Sequence, residues 1–309
     1  MKEGSKKAVV AALIANAGIA VAKFIGFAIT GASSMLAEGV HSVADSGNQA
    51  LLLLGSARGA RKATPEHPFG YGPERYFWAF IVALVIFMLG GVFAIYEGVH
   101  KLSDPHPLQS PLIAIGILSV GILLEGWSFW TAIKEAQRYR GQASWWEFIR
   151  RTKHAELPVV LLEDLGALVG LVLAVVGISL VMVTGDPRWD AIGSISIGVL
   201  LTLIAVVLSI EMRSLLIGEA ASPKRIAAIG EVIKSQPQVR ALIHMKTMHL
   251  GPDQLLVGAK AEFDSGLSFQ ELADAVNATE RAIREAVPEA TVIYLEPDVK
   301  REAADDAAS

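Results

Sequence analysis

Charge is segregated along this chain. Over roughly the first two thirds of its 309 residues, apolar runs of about 20 residues recur, separated by short polar stretches. A hydrocarbon layer about 30 Å thick is crossed by ~20 apolar residues in a helix. Soluble domains rarely hold more than one such run, so the repetition confines the chain to a membrane-embedded helical bundle. The pattern predicts spans near 8–30, 34–57, 76–99, 112–134, 158–183 and 190–216. Three connections are short and built of turn formers: Gly31 to Ser34, Lys101 to Pro111 and Thr184 to Asp190. The other two, 58–75 and 135–157, are longer and basic.

That asymmetry sets an expected orientation. One side would carry Lys2, Lys6 and Lys7, then Arg58, Arg61, Lys62 and Arg75, then Lys134, Arg138, Arg140, Arg150, Arg151 and Lys153. The other would carry Lys101 and Arg188. Basic loops stay in the cytoplasm, which puts both termini there and matches an even number of spans. The expected location is the plasma (inner) membrane of a prokaryote. The basic N-terminal stub leaves a cleaved signal peptide open, although no small-residue cleavage site followed by polar sequence is present.

After Leu216 the sequence changes character. Ser222 and Pro223 open a helix to Ser235. Segments 239–248 and 254–263 are β-rich around a Leu-Gly-Pro-Asp turn. Ser268-Phe-Gln-Glu271 is a capping box leading an amphipathic helix to Ala286. A last strand covers 290–295. The fold class expected is therefore an all-α six-helix transmembrane domain (1–217) followed by a small α+β domain (218–298) of order αββαβ, ferredoxin- or metallochaperone-like. An acidic, Ala-rich tail (299–309) is expected to be disordered.

Composition narrows the chemistry. Net charge is only -4, without a lysine-rich tract, so nucleic acid is not an expected partner. There are no cysteines. Disulfides and thiolate sites are excluded, and a bound metal would use His, Asp, Glu or water.

Ionisable groups inside a bilayer are costly, so each marks a candidate functional site. The second span is the least apolar. His41 and Asp45, four residues apart, stack on one helical face, with Glu38 and Asn48 on or near the same stripe. Imidazole nitrogen and carboxylate oxygen both ligate Zn²⁺ at about 2.0–2.2 Å, so this pair is half a tetrahedral site. The fifth span offers Glu163 and Asp164, which point about 100° apart; one can face a shared site while the other faces a neighbouring helix or a water-filled path. The competing structural reading is a polar network that holds helices together. Lys23 is expected to neutralise a carboxylate or reach an interface. Glu97 and His100 fall near the end of the third span, and Glu125 is deeper in the fourth. The six tryptophans lie mostly near span edges, as an aromatic belt would.

These residues carry a resemblance. Ala37-Glu-Gly-Val-His-Ser-Val-Ala-Asp45, His67-Pro-Phe-Gly-Tyr-Gly72 and the αββαβ segment together resemble the cation diffusion facilitators over 8–298. Leu161-Leu-Glu-Asp164 is most similar to the branch containing zinc transporter nine. The resemblance implies a homodimer in the lipid bilayer that exports divalent metal by alternating access, with protons as counter-ion and no cofactor. Zn²⁺ is the leading substrate, with Mn²⁺, Co²⁺ and Fe²⁺ as alternatives. The family's ligand pair on the second helix carries onto His41 and Asp45. On the fifth helix the family spacing carries onto Val160 and Asp164, so one ligand is missing, and Glu163, Glu38 or water would complete the shell. The loop keeps His67 but has Tyr71 where a second His would stand. The regulatory positions of the tail align with Ile243, Ala259 and Leu295, which cannot bind metal, although His244, His249 and Glu296 are nearby.

In this reading Zn²⁺ sheds water into a site of His41, Asp45 and Asp164, assisted by Glu163 or Glu38. A dication makes the loaded carboxylates less costly in low dielectric, and His41 must be deprotonated to bind. Two other classes compete with this reading. A membrane acyltransferase or hydrolase would place His and Asp near an interface with a nucleophile, which is not the pattern here. A non-transporting scaffold that retains the fold is compatible with the missing ligand.

Overall fold

Each apolar run becomes one long helix. The computed structural model describes residues 3–300, with side chains from residue 17 onward. Lys2 and most of the acidic tail (301–309) therefore lie outside the described residues, as do the side chains of Lys6 and Lys7. The helices are α1 (Glu3–Thr30), α2 (Ser33–Gly59), α3 (Glu74–Val85) continuing through a π-helical segment (Ile86–Val92) into α4 (Phe93–Ser103), α5 (Pro111–Arg140), α6 (Trp145–Arg151), α7 (Glu156–Thr184) and α8 (Arg188–Ile217). Among the described residues four helices are long and apolar enough to cross a membrane: Glu74–Ser103, Pro111–Arg140, Glu156–Thr184 and Arg188–Ile217. The described apolar part of α1 is Ala17–Thr30. Helix α2 has the length, but Glu38, His41, Asp45, Asn48 and Gln49 lower its apolar character.

The helices overrun the spans read from hydropathy. The largest excess is at α5, where Lys134, Glu135, Ala136 and Gln137 are good helix formers and carry the helix past the apolar part to Arg140. Gly185 ends α7 at φ 73°, a conformation that suits glycine, with its N–H bonded to Val181 O. Two elements were not foreseen. Helix α6 lies inside the stretch read as loop; the Ser144 side chain caps it by accepting from Glu147 N at 3.1 Å, and Phe148 is buried with Ala136 and Leu161. The π segment leaves no mark in the hydropathy pattern, because Ile86–Val92 holds no polar side chain and reads as apolar in either winding.

α5 packs on α7 and on α1. A buried polar clasp ties other helix ends together. Lys101 Nζ donates to Asp190 Oδ2 at 2.8 Å and to Gly31 O, while Asp190 also accepts from Ser33 N at 2.7 Å and from the Ser33 and Ser34 hydroxyls. The α1–α2 turn, α4 and α8 are thereby joined.

The chain divides into two compact units, and the second comprises Gly59–Pro73 with the chain from Ser214 onward. Its elements are α9 (Pro223–Lys234), β1 (Val239–Gly251), β2 (Gln254–Phe263), α10 (Phe269–Ala286) and β3 (Val292–Pro297). The order αββαβ is the one read from the sequence. β1 and β2 form an antiparallel hairpin, and α10 crosses over so that β3 pairs with β2 in parallel. Alternate residues of β2, Leu255, Val257, Ala259, Ala261 and Phe263, face a core with Ile229, Ile233, Ile283 and Ile293. The capping box is present with both of its hydrogen bonds.

Candidate metal centre

The polar residues of α2 recur at i, i+3, i+4 and i+7, which places them on one side of the helix. That side is buried: Glu38, His41 and Asn48 are fully inaccessible and Asp45 is 7% exposed. His41 Nδ1 lies 3.3 Å from Asp45 Oδ1, one turn on. Against them stands α7, where Glu163 is 4% exposed. Asn48 Nδ2 donates to Glu163 Oε1 at 2.9 Å, and the Asp45 carboxyl is within hydrogen-bond reach of the Glu163 carboxyl. His41, Asp45, Asn48 and Glu163 thus form a connected group spanning two helices. From the third side Gly90, in the π segment, approaches so closely that a Cβ there would stand 3.7 Å from His41 Nδ1 and 2.8 Å from Leu201 Cδ1.

The other two candidate ligands have different partners. Asp164, adjacent to Glu163 and so turned about 100° from it, accepts from Ser128 Oγ on α5 at 3.0 Å. Glu38 receives Lys23 Nζ of α1 at 3.0 Å, and the same ammonium donates to Ser42 Oγ at 2.7 Å. Lys23 is therefore a carboxylate partner, as one of its two expected roles had it. Gly170 on α7 makes room for this pair, since a Cβ at that position would collide with Glu38 Oε1. Glu125 is half-buried on α5. Lys23, Asn48 and Ser128 are the participants that a search for ligand types overlooks. Asn48 had a sequence signal, its i+7 spacing from His41; Ser128 had none.

Several buried polar atoms have no hydrogen-bond partner among the described residues: Glu38 Oε1, both ring nitrogens of His41, Asp45 Oδ1 and Asn48 Oδ1. Leaving such atoms unpaired inside a protein costs about 1–3 kcal/mol each. Their concentration along α2 suits a place where a cation is received and surrendered. Among the described residues no three His, Asp or Glu side chains converge tightly enough to hold an ion by themselves. Beside the group, a cavity of about 470 Å³ is lined by Gln49 and Leu52 of α2, Val160 and Glu156 of α7, Arg75 and Glu135. In the second unit His67 is exposed with its ring tilted against that of Tyr71, centroids 4.5 Å apart, and His249 is buried.

The cation efflux transmembrane domain model matches residues 9–217. The chain is 34% identical over 265 residues to the proton-coupled zinc antiporter SLC30A9, mitochondrial, of Xenopus laevis, covering 85% of this chain and 47% of that protein. It is 32% identical over 268 residues to metal tolerance protein C4 of Arabidopsis thaliana, covering 86% of this chain and 59% of that protein. To the zinc transporter ZitB of Pectobacterium atrosepticum it is 24% identical over 257 residues, covering 82% of this chain and 75% of that one. The chain thus spans about half the length of the first of these relatives.

Proposed function

Because this chain belongs to the cation efflux family, the cation diffusion facilitators, we propose that it is a multi-pass membrane exporter of divalent metal, with Zn²⁺ the leading substrate and protons the counter-ion. One observation carries the reading: unpartnered nitrogen and oxygen atoms of His41 and Asp45 lie buried against a carboxylate of α7. A transported dication neutralises two carboxylates and gives these atoms a partner, which offsets the cost of burying them. The ligand set proposed is His41, Asp45 and Glu163, with Asp164 reaching the ion only if α7 turns relative to α5 during alternating access. Glu38, occupied by Lys23, is assigned to charge balance.

Proton coupling follows from competition. Imidazole and carboxylate must be free of protons to ligate metal, so acid on the release side favours unloading and protonated return. The names of the relatives, a proton-coupled zinc antiporter among them, point the same way. One imidazole with carboxylates is a harder donor set than two imidazoles, which keeps Mn²⁺, Co²⁺ and Fe²⁺ within reach. The remaining proposals are a transport domain over 1–217, a dimerising cytoplasmic domain over 218–298 in a homodimer, and a prokaryotic inner membrane.

A second reading, a fold retained without flux, draws on the lack of three converging His, Asp or Glu groups among the described residues. Proteoliposomes loaded with a fluorescent zinc indicator separate the two. The exporter reading expects saturable, pH-gradient-dependent Zn²⁺ flux that falls on the order of tenfold or more in Asp45→Ala and in Glu163→Gln. Wild-type protein without flux would favour the scaffold. Undiminished flux in both variants would remove this site from the pathway.

A further inference from the structure

We infer that Asn48 is itself a ligand of the transported cation and sets the site's preference among divalent metals. The inference rests on the efflux reading above and deepens it. Asn48 is fully buried, one helical turn beyond Asp45 on the face that also carries His41. Its Nδ2 is committed to Glu163 Oε1 at 2.9 Å. In the state that ligates a cation the Glu163 carboxylate is ionised and only accepts hydrogen bonds, so this contact keeps the NH₂ end of the amide on it. The NH₂ group faces Glu163, and Oδ1 occupies the other branch. That oxygen has no hydrogen-bond partner among the described residues. A buried amide oxygen is costly without a donor or a cation, and amide carbonyls are ordinary ligands for hard divalent ions.

Charge and donor count favour the same assignment. Asp45 and Glu163 together balance a dication, so a neutral oxygen can complete the shell without leaving the loaded site negative in low dielectric. With His41 the set becomes one nitrogen and three oxygens, which is four ligands, the number a tetrahedral site needs. It also makes up for position 160 on α7, where the family spacing would put a ligand and this chain has Val160. Asn48 therefore does two things at once: it orients the Glu163 carboxylate through its NH₂ and meets the ion through its oxygen.

The test uses the full-length protein in detergent, with Co²⁺ as an optical probe of donor type and geometry. Wild type is expected to give a visible d–d band that Asp45→Ala abolishes. Asn48→Leu is expected to bind Co²⁺ about tenfold more weakly and, at saturation, to show a shifted band, because a water or open position replaces the amide. Asn48→Asp, which returns an oxygen with a negative charge, is expected to recover most of the affinity and to move competition from Zn²⁺ toward Mn²⁺. If the leucine variant does not survive purification, Asn48→Ser, polar but too short to reach, replaces it. A saturated band in the leucine or serine variant that superimposes on wild type would overturn the inference: Asn48 would then only position Glu163, and the efflux site would stand without it. Wild type lacking any Asp45-dependent band would instead remove the efflux site itself, and this inference with it.

Discussion

At the scale of single residues, the pairing of Lys23 with Glu38 is the most consequential polar contact outside the proposed ligand set. Both are almost fully buried and their charged atoms are 3.0 Å apart. A buried ion pair contributes little net stability over a good apolar pair, but removing one partner strands the other and costs about 3–5 kcal/mol. Lys23→Met is therefore expected to lower stability by about that amount, and the double change Lys23→Met, Glu38→Met to recover most of it. Gly170→Ala should be harmful with Glu38 in place and tolerated beside Glu38→Ala, since the added methyl collides with the carboxylate and not with backbone. Thermal unfolding of the four variants in detergent reads this out. A lysine variant as stable as wild type would mean that the pair is not formed. The charged half of this arrangement is legible in the sequence, because Lys23 and Glu38 stand inside apolar runs. Their partnership is not: nothing in a one-dimensional pattern says which of several carboxylates a buried lysine meets. The same holds for Glu163 and Asp164. Helical geometry dictates that they part, and only the packing of α2 and α5 around α7 decides which turns where.

At the scale of elements, helix α10 shows how a local signal becomes a stable end. Ser268 Oγ accepts from Glu271 N, and the Glu271 carboxylate in turn accepts from Ser268 N at 2.8 Å and from its hydroxyl. These bonds to Ser268 hold the Glu271 carboxyl below its ordinary value of 4.5. A carboxyl with a depressed folded pKa stabilises the fold above its unfolded pKa and loses that contribution as pH falls through the folded one. Hydrogen–deuterium exchange in the full chain should thus find the first turn of α10 protected at neutral pH and progressively less so below pH 4.5. Ser268→Ala should remove about 1 kcal/mol, or about fivefold in protection of that turn, and should flatten the acid dependence. An unchanged pH profile in that variant would show the box to be idle. The box, the β1–β2 turn and the β-rich runs are readable, because each rests on residues near in sequence. The π segment and α6 were not. The first is a change of helical winding inside an apolar run, and the second is a short helix held by Phe148 inserting beside Ala136 and Leu161, a contact between distant positions.

At the scale of the whole molecule, the distribution of Lys and Arg predicts one orientation for the chain, and the composition makes that testable. The 58–75 and 135–157 connections are basic, whereas Lys101 is drawn into the Asp190 clasp and leaves the turn before α5 with little exposed positive charge. Basic segments resist transfer across the membrane while neutral ones cross. Helix α5 lies between the two kinds of connection, so residues at its ends should face opposite compartments. The chain has no cysteine, and single cysteines can be placed without background. Gln109→Cys and Gln142→Cys sit at exposed positions just before and just after α5. In right-side-out vesicles an impermeant maleimide should label the cysteine at 109 and spare the one at 142, and inverted vesicles should exchange the two results. Labelling of 142 alone from outside would reverse the orientation read from the sequence. Labelling of both from one face would mean that α5 does not cross. Export, as distinct from transport, does not rest on this outcome: His41, Asp45 and Glu163 can bind and release a dication in either orientation, and the side on which protons arrive gives the cycle its direction.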